Sequence, residues 1–82
     1  MLLVIGGKII MTVLAITNSV NPQIKLIKCN SEEEAIHKMK TLYNKKLCSK
    51  KCDLNNTYLD EDECYAQVVN GLEQTEFRIG DI

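Results

Sequence analysis

Ser31-Glu32-Glu33-Glu34-Ala35-Ile36-His37-Lys38-Met39-Lys40-Thr41-Leu42-Tyr43-Asn44-Lys45-Lys46-Leu47 is the stretch that decides the fold. It opens on a capping box: the Ser31 hydroxyl is placed to accept from the Glu34 amide, and the Glu34 side chain to reach back to the preceding backbone. Ala35, Ile36, Met39, Leu42, Tyr43 and Leu47 then recur at steps of three and four, which puts them on one face of a helix. Acids fill its first turn and Lys45 and Lys46 its last, matching the helix macrodipole. Residues 48–56 lose this period and read as a loop.

On both sides of the helix the period changes to two. Ile9–Thr17 is rich in β-branched residues and reads as a strand buried on both faces. Asn18-Ser19-Val20-Asn21-Pro22 breaks it with turn chemistry. In Gln23–Cys29, Ile24, Leu26 and Lys28 alternate with Lys25, Ile27 and Cys29, giving a second strand. Thr57–Leu59 is a candidate short strand. Cys64–Val69 and Leu72–Ile79 flank Asn70-Gly71, a hairpin signal that favours a type I′ turn. The expected architecture is therefore α+β: a small single domain over residues 1–82, with a mostly antiparallel four- to five-stranded sheet and one amphipathic helix on one face, in the order β-β-α-β-β.

Residues 1–10 admit two readings. Gly6-Gly7 between Leu2–Ile5 and Ile9–Ile16 is a hairpin signal, which makes the segment an edge hairpin. Alternatively, Met11 is the biological start and residues 1–10 are an upstream extension. Lys8 and the two glycines interrupt the apolar run well short of the roughly 20 residues that a membrane span needs. Thr17-Asn18-Ser19 is a poor signal-peptide cleavage site. The chain thus reads as cytoplasmic, with no membrane partner.

The 82 residues and 9.3 kDa fit one domain with a small core. A hydrophobic share of 45% with 26% charged residues lies in the globular range. The net charge of -1 conceals a division, since residues 1–52 carry +6 and residues 53–82 carry -7. The near-neutral total excludes wrapping in duplex DNA by bulk charge. Lys38, Lys40, Lys45, Lys46, Lys50 and Lys51 form a basic cluster, but no aromatics interleave with it, which disfavours direct nucleic-acid binding.

No motif names a reaction. There is no serine elbow, phosphate-cradling glycine loop or paired-histidine metal motif. His37 at the flank of the apolar helix face reads as a partly exposed helix residue rather than the base of a cysteine nucleophile. Asp53-x-Asn55-x-Thr57 starts like a calcium loop but has Tyr58 where the turn needs Gly and Cys64 where the loop needs Glu, so it reads as a polar turn. Cys48-x3-Cys52 with Cys64 has loose zinc spacing, but strong zinc motifs carry two close pairs. Reduced thiols are the leading reading, ahead of a zinc site and of two disulfides, which the lack of a secretory signal disfavours, with Cys29 and Cys64 as small buried residues in strands. No cofactor or metal is expected, and the chain does not read as an enzyme.

The most unusual surface feature is Asp60-Glu61-Asp62-Glu63, held beside a hairpin rather than in a tail. Four adjacent carboxylates repel one another unless solvated or met by cations. One reading is a solvated turn that balances the lysines and guards a sheet edge. The sharper one is an acidic face that presents a phosphate-like pattern to a basic protein partner, with Tyr58 and Tyr65 as anchors. In size and charge, though not in motif, such a domain resembles the small proteins by which phages and mobile elements block host defence, anti-CRISPR proteins among them. That likeness implies a non-enzymatic inhibitor of a nucleic-acid-handling protein. The competing readings are a self-associating module, such as a homodimer through sheet edges, and a zinc-stabilised nucleic-acid adaptor.

Overall fold

The computed structural model describes residues 3–5, 8–49 and 52–81, with side chains for residues 11–47 and 52–81. The strands are β1 (Leu3–Ile5), β2 (Lys8–Ile10), β3 (Thr12–Asn18), β4 (Lys25–Cys29), β5 (Tyr58–Asp60), β6 (Tyr65–Asn70) and β7 (Glu73–Asp81); the helix α1 spans Glu32–Ser49. Strands β4-β3-β7-β6-β5 form one five-stranded sheet, antiparallel at every pairing, and β1-β2 pair separately. The α+β architecture read from the sequence is the one observed, with β5 as the additional short strand.

The start of the helix follows its capping chemistry. The Glu34 amide donates to Ser31 Oγ at 3.1 Å, and the Ala35 amide donates to the Ser31 carbonyl at 3.1 Å. Glu34 Oε2 accepts from the Asn30 amide at 2.9 Å, one residue further upstream than a standard capping box. That bond, with Lys38 Nζ 3.3 Å from Glu34 Oε1, holds the Glu34 carboxyl below its ordinary range.

The helix covers one face of the sheet. Ala35 and Met39 from α1 meet Leu14, Cys29, Ala66, Val68 and Phe77 from four strands, and these seven residues are the core. Leu42 and Tyr43 pack against that cluster, while Ile36 and Leu47 are only half-buried. Strand register explains the selection: Leu14 lies opposite Ile79 and Ile27, and Phe77 opposite Ile16 and Ala66, all on the helix side. Val13, pointing the other way, is buried too, but Ala15 and Thr17 on its face are only half-buried, so the interior strand β3 is not buried on both faces along its length as its composition implied.

Three local expectations are corrected. Ile9–Thr17 is not one strand but breaks at Met11, with 8–10 paired to β1 and 12–18 in the main sheet. Both edges of β3 are taken by β4 and β7, so it has no edge left for β1. The Gly6-Gly7 turn lies outside the described residues. At the second hairpin, Asn70 pairs with Glu73, which makes Gly71-Leu72 the two-residue loop. Gly71 has φ +62° and Leu72 is not left-handed. Positive φ at the first loop position alone is the requirement of type II′, not I′. Finally, Cys64 lies in a turn before β6, half-exposed and left-handed at φ 52°, rather than in a strand as a buried residue.

Candidate functional site

The acidic tract runs from the last residue of β5 through three of the four residues that connect β5 to β6. Asp60 faces Tyr65 across the ladder, and residues 61–64 make the loop. Asp60 Oδ1 accepts from the amides of Asp62 at 3.0 Å and Glu63 at 3.2 Å, so this carboxylate builds the turn. The Cys64 amide donates to the Glu61 carbonyl at 3.2 Å, and its carbonyl accepts from the Ile79 amide at 3.1 Å. Glu61 points to the helix, where Lys40 Nζ lies 2.8 Å from Oε1. Both partners are about half exposed, so the pair orients the loop more than it stabilises the fold. Asp62 and Glu63 make no ion pair among the described residues.

The same loop meets the start of the helix. Cys64 Sγ is 3.6 Å from Glu32 Oε1. Burial first, and then the negative charge of Glu32, push the Cys64 thiol upward, so it stays protonated at neutral pH. Glu32 therefore extends the acidic end of the molecule. Sequence reasoning assigned Glu32 to the helix cap, and only the fold brings it beside residue 64, thirty-two positions away.

Tyr58, Asp60, Glu63, Cys64, Tyr65 and Arg78 line one open depression of about 490 Å³. Four of the six candidate residues, Tyr58, Asp60, Glu63 and Tyr65, thus converge; Glu61 turns toward α1, and Asp62 does not line it. The rings of Tyr58 and Tyr65 are 5.8 Å apart and tilted by 48°. Arg78 lies opposite Tyr65 in the ladder, its guanidinium 5.3 Å from the ring centroid. Its Nη2 is 2.6 Å from Glu76 Oε2, and that oxygen is 2.8 Å from the Tyr65 hydroxyl. The hydrogen bond from Arg78, followed by that from Tyr65, holds Glu76 below its ordinary range. Partial burial, followed by the Glu76 carboxylate, pushes the Tyr65 phenol up to about 12. Tyr65 is therefore a fixed neutral wall, whereas Tyr58 is 47% exposed. Arg78 is the residue that sequence reasoning left unassigned; it alternates with the buried Phe77 and so falls on the opposite, exposed face of β7, but its partner depends on the β6–β7 register.

The remaining motifs resolve into local structure. Asp53 Oδ1 accepts from the Asn55 amide at 3.0 Å and Oδ2 from Asn56 Nδ2 at 2.8 Å, which is a self-bonded polar turn. His37 is exposed on the helix. Cys29 and Cys64 form no disulfide, and the side chain of Cys48 lies outside the described residues. Cys52 Sγ lies 3.8 Å from the Lys46 carbonyl, whereas Cys64 touches Glu32. Those helix positions are about 21 Å apart at 1.5 Å per residue, so the fold does not bring Cys52 and Cys64 to one metal ion. Among the described residues no three His, Cys, Asp or Glu side chains are grouped to hold a metal, and no helix is long and apolar enough to cross a membrane. The chain matches no protein-family model, no curated protein and no solved structure in comparisons with each.

Proposed function

We propose that the protein is a non-enzymatic, cytoplasmic binding module that engages a basic protein surface through its acidic end and thereby blocks that surface. The observation that carries this reading is the convergence of Tyr58, Asp60, Glu63 and Tyr65 on one open depression. An exposed Tyr face next to fixed carboxylates suits a Lys or Arg side chain, which gains a cation–π contact and a charge-assisted hydrogen bond together. Asp62, Glu63 and Glu32 around it supply long-range attraction, which raises the association rate toward a positive partner. A surface that normally holds nucleic-acid phosphates is basic in this way, so the favoured partner is a nucleic-acid-handling protein, inhibited by competition.

The test is affinity capture from a bacterial lysate at low and high salt, comparing the native chain with Asp62→Lys/Glu63→Lys and with Tyr58→Ala. Asp60 and Glu61 are left intact because they build and orient the loop. The expected result is a basic partner held at low salt, released by salt and lost from the charge-reversed variant. Undiminished capture by that variant would refute the acidic-end reading.

A further inference from the structure

The opposite end of the molecule carries a second concavity of different chemistry. Ile16, Lys25, Leu42, Lys45, Lys46 and Phe77 line a groove of about 460 Å³ between the last turns of α1 and strands β3, β4 and β7. Its volume falls within the roughly 300–1,000 Å³ that small-molecule sites occupy. Phe77, 1% exposed, is its floor, and Leu42 and Ile16 are its half-buried walls. The lysines come from two separate segments. Lys45 and Lys46 suit a helix C-terminus for reasons of the macrodipole alone, but Lys25 does not share that explanation. It belongs to the inner face of β4, in phase with Ile27 and Cys29, and pairs with Ile16. An apolar stripe that leads into the core thus ends in a lysine that lines the groove. Elsewhere along α1 the lysines meet acids, Lys38 with Glu34 and Lys40 with Glu61. Lys25 and Lys45 have no such partner among the described residues.

We propose that this groove binds a single-chain anionic amphiphile, a medium-chain carboxylate, with its chain on Phe77, Leu42 and Ile16 and its carboxylate between Lys25 and Lys45. An apolar floor supplies affinity in proportion to the chain area that leaves water. Two lysines that line one groove from separate segments select the sign of the head group, which a purely apolar cleft cannot do. An inward lysine on an edge strand also guards against strand addition; that role alone would make the groove indifferent to the sign of an amphiphile.

The experiment titrates dodecanoate, below its aggregation concentration, into the full chain and follows backbone and methyl resonances. Dodecyltrimethylammonium is the control of equal chain and opposite charge. The expected result is saturable one-to-one binding with shifts centred on Ile16, Leu42 and Phe77, and at least about tenfold weaker binding of the cationic control, the ratio that one lost charge-assisted contact gives. Lys25→Glu/Lys45→Glu should lower dodecanoate affinity by at least as much, and Lys45→Gln by a smaller factor. Equal binding of the two amphiphiles, no saturation, or shifts centred on Tyr58 and Tyr65 would overturn the proposal. So would an acidic apolar peptide that shifts the groove residues where dodecanoate does not. The groove lies at the far end of α1 from the acidic loop, so Asp62→Lys/Glu63→Lys should leave dodecanoate binding unchanged, and the two proposals fail separately.

Discussion

Thr57→Val isolates one hydroxyl that holds the candidate site in place. Thr57 precedes Tyr58, is 9% exposed, and its Oγ1 accepts from the Val69 amide at 2.9 Å while lying 3.5 Å from the Val69 carbonyl. The carbonyl keeps a second donor, the Asp53 amide at 2.8 Å, so the substitution orphans the Val69 N–H and little else. Val preserves shape and β-branching. Leaving such a donor unpaired costs about 1–3 kcal/mol. Taking about 2 kcal/mol and the sensitivity of a 60–100-residue domain, Tm should fall by about 8–16 °C. Urea unfolding should show the same loss through the midpoint, with an unchanged slope. Thr57→Ser keeps the hydroxyl and should lose much less. If Val costs less than about 0.5 kcal/mol, or Ser costs as much as Val, the hydroxyl does not clamp β5 and the placement of Tyr58 needs another cause.

Two further outcomes follow from backbone and titration. Gly71→Ala should destabilise the fold although nothing surrounds its Cβ position, because φ is +62° there, whereas Cys64→Gly should be neutral or stabilising by relieving a left-handed L-residue worth about 1–2 kcal/mol; thermal unfolding of both variants checks that the first lowers Tm and the second does not. The Tyr65 phenol, raised to about 12 in the folded chain, contributes stability that is whole below its unfolded value of about 10 and is lost as pH rises from there toward 12. Tyr65→Phe should therefore flatten the alkaline limb of a stability–pH profile measured by urea unfolding, and an unchanged limb would assign the transition elsewhere.

Legibility in the sequence tracked the range of the interactions. The helix was readable because its cap, its apolar steps and its terminal charges are all encoded within four residues of one another. The strands were readable because alternation is local, and Thr75, Phe77 and Ile79 do share a face with their neighbours on β3 and β6. The turn at Gly71 slipped by one position because the favoured turn type was chosen from a dipeptide, while the register is set across the sheet by pairs such as Phe77 with Ile16. At Cys64, the carboxylate of Asp60 binds two amides of its own loop and delays the strand by a residue. Tyr58 and Tyr65 stand out beside the acidic tract in the sequence, but Arg78 against Tyr65 and Glu32 against Cys64 depend on pairings that no local pattern carries.

The central pairing of the sheet joins residues 12–18 to residues 75–81. Nearly the whole chain must therefore exist before β3 gains its second neighbour, and until then β3 exposes an unpaired apolar edge. Such non-local closure slows folding relative to helical proteins of equal size, because loop entropy is lost before the contacts form. On the ribosome the helix would form early and wait, and the sheet would close only after Asp81 has cleared the exit tunnel. Aggregation during synthesis is thus expected to depend on the rate at which the last strand arrives, a property of translation rather than of the folded molecule.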